Sequence, residues 1–157
     1  MRWYLLQTLM GAIGSVGFAV LFNIRRSRLL WTALGGALSW AVYLLLLHFG
    51  HGVFVALLCG TSAAALASEL LARAVKAPVI MLLVPMLIPL IPGGDLYYMM
   101  SFLVRDEVES FGERAQLVMT EAGAIAIGII CVASLMNIVT GLYARTRNGK
   151  RRRKPAE

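Results

Sequence analysis

The chain has 157 residues, of which 59% are hydrophobic and 15% are charged. A soluble domain is closer to about half apolar and about a quarter charged. It also could not bury several windows of about 20 nearly uncharged residues, so the composition excludes an ordinary soluble domain and indicates an integral membrane protein. The formal net charge of +7 would suit a nucleic-acid partner, but almost half of the basic residues lie in one C-terminal run, 145–154. We therefore expect no nucleic-acid binding.

Five apolar segments follow one another along the chain. The first segment, residues 3–22, is longer than the core of a signal peptide and is followed by no clean cleavage site, so we interpret it as a transmembrane span. The segments cover residues 3–22, 29–47, 53–71, 79–104 and 115–143. The sequence therefore predicts an all-α integral membrane protein with about five transmembrane helices in a domain 1–144. We expect the basic tail, 145–157, to be disordered.

The basic residues of the short loops predict the orientation, because lysine and arginine are retained on the cytoplasmic side of a membrane. With five spans and the tail inside, twelve basic residues lie on the cytoplasmic side and three outside. The outer three are Arg2, Arg105 and Arg114, and the inner loops hold Arg25, Arg26, Arg28, Arg73 and Lys76. We predict an outer N-terminus and a cytoplasmic C-terminus, with the tail attracted to anionic lipid.

The fourth segment contains the strongest functional signal. Pro85, Pro89 and Pro92 lie in it, followed by Gly93 and Gly94. Prolines remove backbone donors, and hydrocarbon cannot satisfy the freed carbonyl groups, so this backbone must face protein or a water-filled cavity. Broken helices of this kind build binding sites in secondary transporters, where helix ends present their dipoles to the substrate. We predict that the fourth helix is broken here and that these residues shape a substrate site.

Asp95 and Tyr97 follow the two glycines, near the start of the second half-helix. Free N–H groups at that helix end would hold a substrate carboxylate; alternatively, Asp95 caps the half-helix and the prolines form a structural kink. Tyr97 would either hydrogen-bond the substrate or anchor the helix at a membrane interface.

Two polar residues of the fifth segment are further candidates for a polar pathway. Glu121 either carries a proton, paired with Asp95 or an arginine, or lies at the outer interface. Asn137 either lines the pathway or joins helices by hydrogen bonding. Glu69 and Arg73 have the four-residue spacing of an ion pair at a membrane edge.

Small residues at four-residue spacing predict three faces for close helix packing. They are Gly11, Ser15 and Ala19 in the first segment, Gly60, Ala64 and Ser68 in the third, and Ala133, Asn137 and Gly141 in the fifth.

Motifs of soluble enzymes are missing from the sequence. It contains no nucleotide-binding loop, no GxSxG or HExxH motif and no cysteine spacing typical of a metal site. We therefore expect neither enzymatic activity nor a cofactor. Without a nucleotide site, we expect transport to use the proton gradient.

Three motifs resemble a known family over nearly the whole chain. They are Phe22-Asn23, the run Ser68–Arg73 with Lys76-Ala77-Pro78, and Ile88–Gly94 followed by Tyr97. The chain resembles the small, YjjB-like subunit of the threonine/serine exporter family, which corresponds to the C-terminal half of the fused exporter. The resemblance implies a bacterial inner-membrane exporter of threonine, serine or a small dicarboxylate, together with a larger partner membrane subunit.

Five spans are few for a transporter, so we expect a homo-oligomer or a hetero-complex surrounded by membrane lipid. The alternative to a transporting subunit is a scaffold that stabilises its partner and never touches the small-molecule substrate.

Overall fold

The computed structural model describes the backbone of residues 2–152 and the side chains of residues 2–142. This part of the chain is helical, without strands. The helices are α1 (Arg2–Leu21), α2 (Arg26–His48), α3 (Val53–Ala74), α4 (Val79–Leu87), α5 (Gly93–Val104) and α6 (Val108–Arg152). A 3-10 turn, Ile88–Leu90, connects α4 to α5.

Four of the helices, α1, α2, α3 and α6, are each long and apolar enough to cross a bilayer. The α4 helix with its 3-10 turn and the α5 helix are long and apolar enough only when they are taken together, and the two are bent by 60° relative to each other. This confirms the prediction of an all-α membrane protein: it has four to five candidate spans, and the fourth predicted segment is broken.

Four helices end in the same turn, which reverses the chain within a few residues. The residues Asn23, Gly50, Lys76 and Asp106 have left-handed backbone, with φ of 55°, 80°, 50° and 56°. In each case the following amide donates to a carbonyl five residues earlier, as Ile24 does to Ala19 at 2.9 Å. This pattern satisfies carbonyl groups that a helix end otherwise leaves free. Consecutive helices can therefore pack antiparallel through short loops.

The bundle is held together by small residues at the helix contacts. The α2 helix packs between α1 and α3, the α3 helix packs on α6, and α4 lies against the first three helices. Ser15, Ala19, Ala64 and Ser68 are fully buried, and a Cβ atom at Gly36 would overlap the Ser15 side chain. The first two predicted packing faces are thus confirmed.

The C-terminal part of the third predicted packing face is exposed, although Ala133 is half-buried. Asn137 and Gly141 are exposed, and a Cβ at Gly141 would meet nothing within 4 Å. Asn137 therefore does not join helices within the described part of the chain.

The basic loops lie together at one end of the bundle. The Arg28 guanidinium donates to the carbonyl oxygens of Val75, at 3.1 Å, and Lys76, at 3.5 Å, which ties the first turn of α2 to the loop after α3. At the opposite end, the Tyr4 hydroxyl lies 3.3 Å from Nδ1 of His48. The side of the membrane that each end faces stays a prediction.

The α6 helix is longer at both ends than the fifth span predicted from the sequence. It has 45 residues, about 68 Å at a rise of about 1.5 Å per residue, against a hydrocarbon core of about 30 Å. It begins at Val108, inside the hydrophilic stretch that precedes the predicted span. It also continues to Arg152, so the expected disorder is wrong for residues 145–152. Residues 153–157 lie outside the described part of the chain.

Candidate functional site at the helix break

The prolines of the fourth span cause the break. Pro89 and Pro92 cannot donate backbone hydrogen bonds, and the Ile91 amide bonds to the carbonyl of Ile88, at 3.2 Å, in the tighter 3-10 pattern. The Ser39 hydroxyl of α2 donates to the Met86 carbonyl, at 3.0 Å, within the core. The broken backbone is thus supported by a neighbouring helix, as membrane depth requires.

Pro89 lies where the 3-10 turn meets the first two helices. A Cβ atom at Gly11 of α1 would lie 3.2 Å from Cβ of Trp40 and 3.6 Å from Cβ of Pro89, so these three residues are neighbours where α1, α2 and the 3-10 turn meet. Pro89 therefore fixes the break against the bundle.

The α5 helix begins with an open N-terminus. Pro92 precedes it, and no side chain caps it. Gly93 donates to the Ile91 carbonyl at 2.7 Å and Leu96 to the Pro92 carbonyl at 3.0 Å, whereas the amides of Gly94 and Asp95 donate to no group in the described chain. A Cβ at either glycine would meet nothing within 4 Å. The positive end of the helix dipole therefore faces open space.

Asp95 forms an ion pair with Arg114 of the next helix. Nη1 of Arg114 donates to Oδ1 of Asp95 at 2.6 Å, and both side chains are partly exposed, at 43% and 29%. The guanidinium carbon also lies 5.9 Å from the centre of the Tyr98 ring, within cation–π range. The carboxylate of Asp95 thus binds α6 and does not form a capping hydrogen bond.

Glu121 is enclosed by the bundle. It is 6% exposed, and its Oε2 has no hydrogen-bond partner among the described residues. It lies seven residues after Arg114, which places both side chains on one face of α6. Glu121 interacts electrostatically with Asp95 and Arg114.

Tyr43 of α2 is half-buried and lies within electrostatic range of Glu121 and Asp95. We call Tyr43, Asp95, Arg114 and Glu121 the polar cluster. Its members belong to three helices, α2, α5 and α6, and they combine two carboxyl groups, a guanidinium and a phenol. Such a set can bind both a cationic and an anionic group.

Asp95 and Glu121 lie within electrostatic range of each other, and their pairing in one pathway stays a prediction. Sequence reasoning missed the other two members of the cluster. Arg114 was interpreted only as a charge of the outer loop, although its seven-residue spacing to Glu121 was a usable signal. Nothing in the sequence singled out Tyr43.

Other candidates lie outside the cluster. Tyr97 is 69% exposed and contacts Tyr98, with ring centres 5.6 Å apart. Asn137 is exposed and lies sixteen residues after Glu121, about 24 Å along α6. The predicted ion pair of Glu69 and Arg73 is confirmed, with Nη2 and Oε2 3.1 Å apart.

Two apolar cavities lie elsewhere in the described chain. The larger, about 420 Å³, lies between α1 and α2 beside Tyr4 and His48. The smaller, about 260 Å³, lies beside Phe22 and Pro85. Neither is lined by the polar cluster. In the described residues, no group of three or more histidine, cysteine, aspartate and glutamate side chains could hold a metal ion.

A multi-pass helical bundle that has a broken span, an open helix end at the break and a buried acid on the next helix has the architecture of a membrane transport protein. The comparison with family models makes the assignment specific. The model described as "Threonine/Serine exporter, ThrE" matches residues 7–135, so the chain belongs to the threonine/serine exporter family. The resemblance to this family is confirmed, and the assignment to its small subunit stays a prediction. No curated protein and no solved structure matches the chain.

Membership gives the chain a role in membrane export, since this family is one of transporters and not of enzymes. The matched region contains the helix break and all four residues of the polar cluster, and it ends before Asn137.

Proposed function

We propose that the chain is a subunit of a secondary exporter for threonine, serine or related small carboxylates, and that substrate passes the break between α4 and α5. One observation carries the proposal: the broken span exposes the uncapped start of α5, and the helix that packs on α5 holds a buried carboxyl group, Glu121, whose Oε2 has no partner in the described chain. A helix N-terminus attracts anions, and a buried unpaired acid in a membrane protein is usually functional.

The residues of the break have different roles in this proposal. Pro89 and Pro92 hold the chain in its bent course, while Gly93 and Gly94 leave the backbone accessible to substrate. Asp95 and Glu121 supply charge.

Tyr97 lies on the exposed side of α5, where it would contact a partner or the substrate as it leaves. Asn137 is far from the cluster and would line the pathway only near its other end.

A buried carboxyl group such as that of Glu121 suits transport driven by the proton gradient. An ionised carboxylate that is buried without a partner costs several kcal/mol, so Glu121 must bind a proton or a cation when it is enclosed. A group that alternates between the two states can couple proton entry to substrate export. Glu121 is therefore the proposed proton carrier.

A larger partner membrane subunit would complete the pathway. The α5 helix packs mainly on α6 and has no fully buried residue, so its other side is open to a protein neighbour. We place the complex in a bacterial inner membrane, with the N-terminus outside and the C-terminus in the cytoplasm.

Transport by the native complex tests the proposal. The complex is purified from its host and reconstituted into liposomes loaded with serine, threonine or succinate, and efflux is followed with and without an inward proton gradient. We expect efflux of at least one of these substrates, accelerated by the gradient. Failure to move any of them would refute the exporter proposal.

Alanine at both glycines separates a transporting subunit from a scaffold. Gly93→Ala with Gly94→Ala would add methyl groups at the open helix end and should reduce transport while the complex still assembles. Gly14→Ala with Gly17→Ala is a matched control, because these glycines also have nothing within 4 Å of an added Cβ. Normal transport by the Gly93/Gly94 variant would favour the scaffold.

A further inference from the structure

The smaller apolar cavity lies where the loop after α1 meets the start of α4. Its volume is about 260 Å³, and its walls are Phe22, Ile24, Ile80, Met81, Val84 and Pro85. Ile24 and Pro85 are buried and form its inner wall, whereas Phe22 and Ile80 are more than half exposed. The cavity is therefore an apolar recess in the surface of the bundle, and we call it the α1–α4 recess.

Basic side chains border the α1–α4 recess. Arg25 and Arg26 directly follow Ile24, Lys76 precedes α4 by three residues, and all three basic side chains are exposed. Residues 22–28 and 75–81 contain four basic residues and no acidic one. The fourth, Arg28, holds the two stretches together through its bonds to backbone carbonyls of the second. Within the described chain, none of the other three forms an ion pair, so their positive charge is not neutralised.

Two helix ends add to this positive potential. The α2 helix begins at Arg26 and the α4 helix at Val79, and no side chain caps either start. The positive end of each helix dipole therefore lies at these loops. The carbonyl ends of α1 and α3 lie at the same end of the bundle, but their turns close them through the amides of Ile24 and Ala77. The surroundings of the recess thus favour an anion.

We propose that the α1–α4 recess and the basic residues beside it bind one molecule of an anionic phospholipid. An acyl chain fills the recess, and the phosphate lies against Arg25, Arg26 and Lys76. Arginine binds phosphate through paired, charge-assisted hydrogen bonds, and basic pockets between membrane helices are typical sites for anionic headgroups. The site belongs to the folded bundle and is separate from the basic tail. It does not depend on the substrate that the protein exports.

The bound lipid would support the first half of the broken span. The α4 helix has only nine residues and contains Pro85, so its own hydrogen bonds secure it less than those of a long helix. Three more of its residues line the recess. An acyl chain packed there would fix α4 against the end of α1, and lipid binding should therefore raise the thermal stability of the protein.

Thermal unfolding of the purified chain in detergent tests the proposal. Phosphatidylglycerol and phosphatidylcholine with identical acyl chains are added at equal concentrations, and unfolding is followed by circular dichroism. We expect phosphatidylglycerol near saturation to raise the melting temperature by about 4 °C or more, and phosphatidylcholine to raise it by less than half as much. Equal stabilisation by the two lipids would overturn the proposal.

Matched charge variants locate the headgroup. Arg25→Gln with Lys76→Gln should abolish the difference between the two lipids. Arg2→Gln with Arg105→Gln removes the same charge from exposed positions outside the basic loops and should preserve the difference. Arg28 is left unchanged because it holds the loops together. Loss of the difference in both double variants would mean that net charge alone attracts the lipid, and it would overturn the proposal.

A second pair of variants tests the acyl chain and leaves every charge in place. Ile80→Trp would fill part of the recess and should reduce the stabilisation by phosphatidylglycerol. Leu70→Trp is the control, because Leu70 is similarly exposed, at 55% against 64% for Ile80, but does not line the recess. Undiminished stabilisation of the Ile80→Trp variant would show that the acyl chain does not occupy the recess.

The tail is tested separately. A chain that ends at Ala144 lacks seven basic residues but keeps the whole recess, so it should still prefer phosphatidylglycerol. Loss of the preference would assign lipid binding to the tail and overturn the proposal.

Native mass spectrometry of the complex purified from its host distinguishes a lipid from a protein occupant. We expect the complex to retain an anionic phospholipid, and the Arg25→Gln/Lys76→Gln variant to retain less of it than the Arg2→Gln/Arg105→Gln variant. A complex without bound anionic lipid would mean that a partner subunit covers the recess, and it would overturn the proposal.

Discussion

Asp95 and Arg114 belong to the two helices of one hairpin, and their ion pair is an anchor between them. The α5 helix buries no residue fully, so apolar packing on α6 secures it only weakly. The pair adds a short charge-assisted contact, reinforced by the Tyr98 ring under the guanidinium. Asp95, which we propose to supply charge at the substrate site, therefore also holds the second half of the broken span.

A double-mutant cycle at this pair measures the anchor. Asp95→Asn and Arg114→Gln should each destabilise the protein in detergent, and the double variant should lose less than the sum of the two. Because both side chains are partly exposed, we expect a coupling of about 1 kcal/mol. Thermal unfolding followed by circular dichroism provides the measurement. A cycle of Glu113→Gln with Arg114→Gln is the control, and equal couplings in both cycles would show that the Asp95 contact is not specific.

At the scale of the helices, the proline and glycine string predicted the break because local chemistry determines it: prolines remove donors wherever the chain packs. The ion pair and the position of Tyr43 could not be predicted, since they depend on how α2, α5 and α6 pack. The basic tail was misjudged for a different reason. Arginine and lysine are good helix formers, and no proline interrupts the run before Pro155. An apolar helix can therefore continue through it.

The contact between α3 and α6 depends on a glycine that sequence reasoning did not single out. A Cβ at Gly128 would lie 3.0 Å from both the Leu58 carbonyl oxygen and Cβ of Thr61. Gly128→Ala should therefore push the two helices apart and destabilise the protein by about 1–3 kcal/mol. Gly123→Ala, on the same helix with nothing within 4 Å of the new methyl, should leave the melting temperature unchanged. Equal effects of the two would mean that the α3–α6 contact tolerates the methyl group.

For the whole molecule, the path of the bent pair α4–α5 determines whether the two termini lie on opposite sides of the membrane. If α4 and α5 together cross once, the chain has five spans and its ends are separated; if they re-enter, it has four. Arg2→Cys should react with an impermeant maleimide in intact cells, and Lys150→Cys only after permeabilisation, both in a background without Cys59 and Cys131. Reaction of both positions from the same side would contradict five spans.

Export driven by protons requires that proton and substrate exclude each other at some point in the cycle. In the proposed exporter, the Glu121 carboxyl would be the common site, at which the proton competes with the ammonium group of serine or threonine. The neighbouring charged and titratable groups are Tyr43, Asp95 and Arg114, and of these only Arg114 is a cation. Lowering the pH on the side where serine binds should therefore raise the KM for serine and leave the maximal rate nearly unchanged.

The Glu121→Gln variant provides the comparison for this prediction. Its amide neither binds a proton in this range nor attracts an ammonium group as a carboxylate does, so its higher KM should no longer depend on pH. Serine counterflow, measured at several pH values without a gradient, isolates binding from the driving force. A KM that falls with falling pH in the unmodified complex, or a pH dependence that persists in Glu121→Gln, would locate proton binding at another residue.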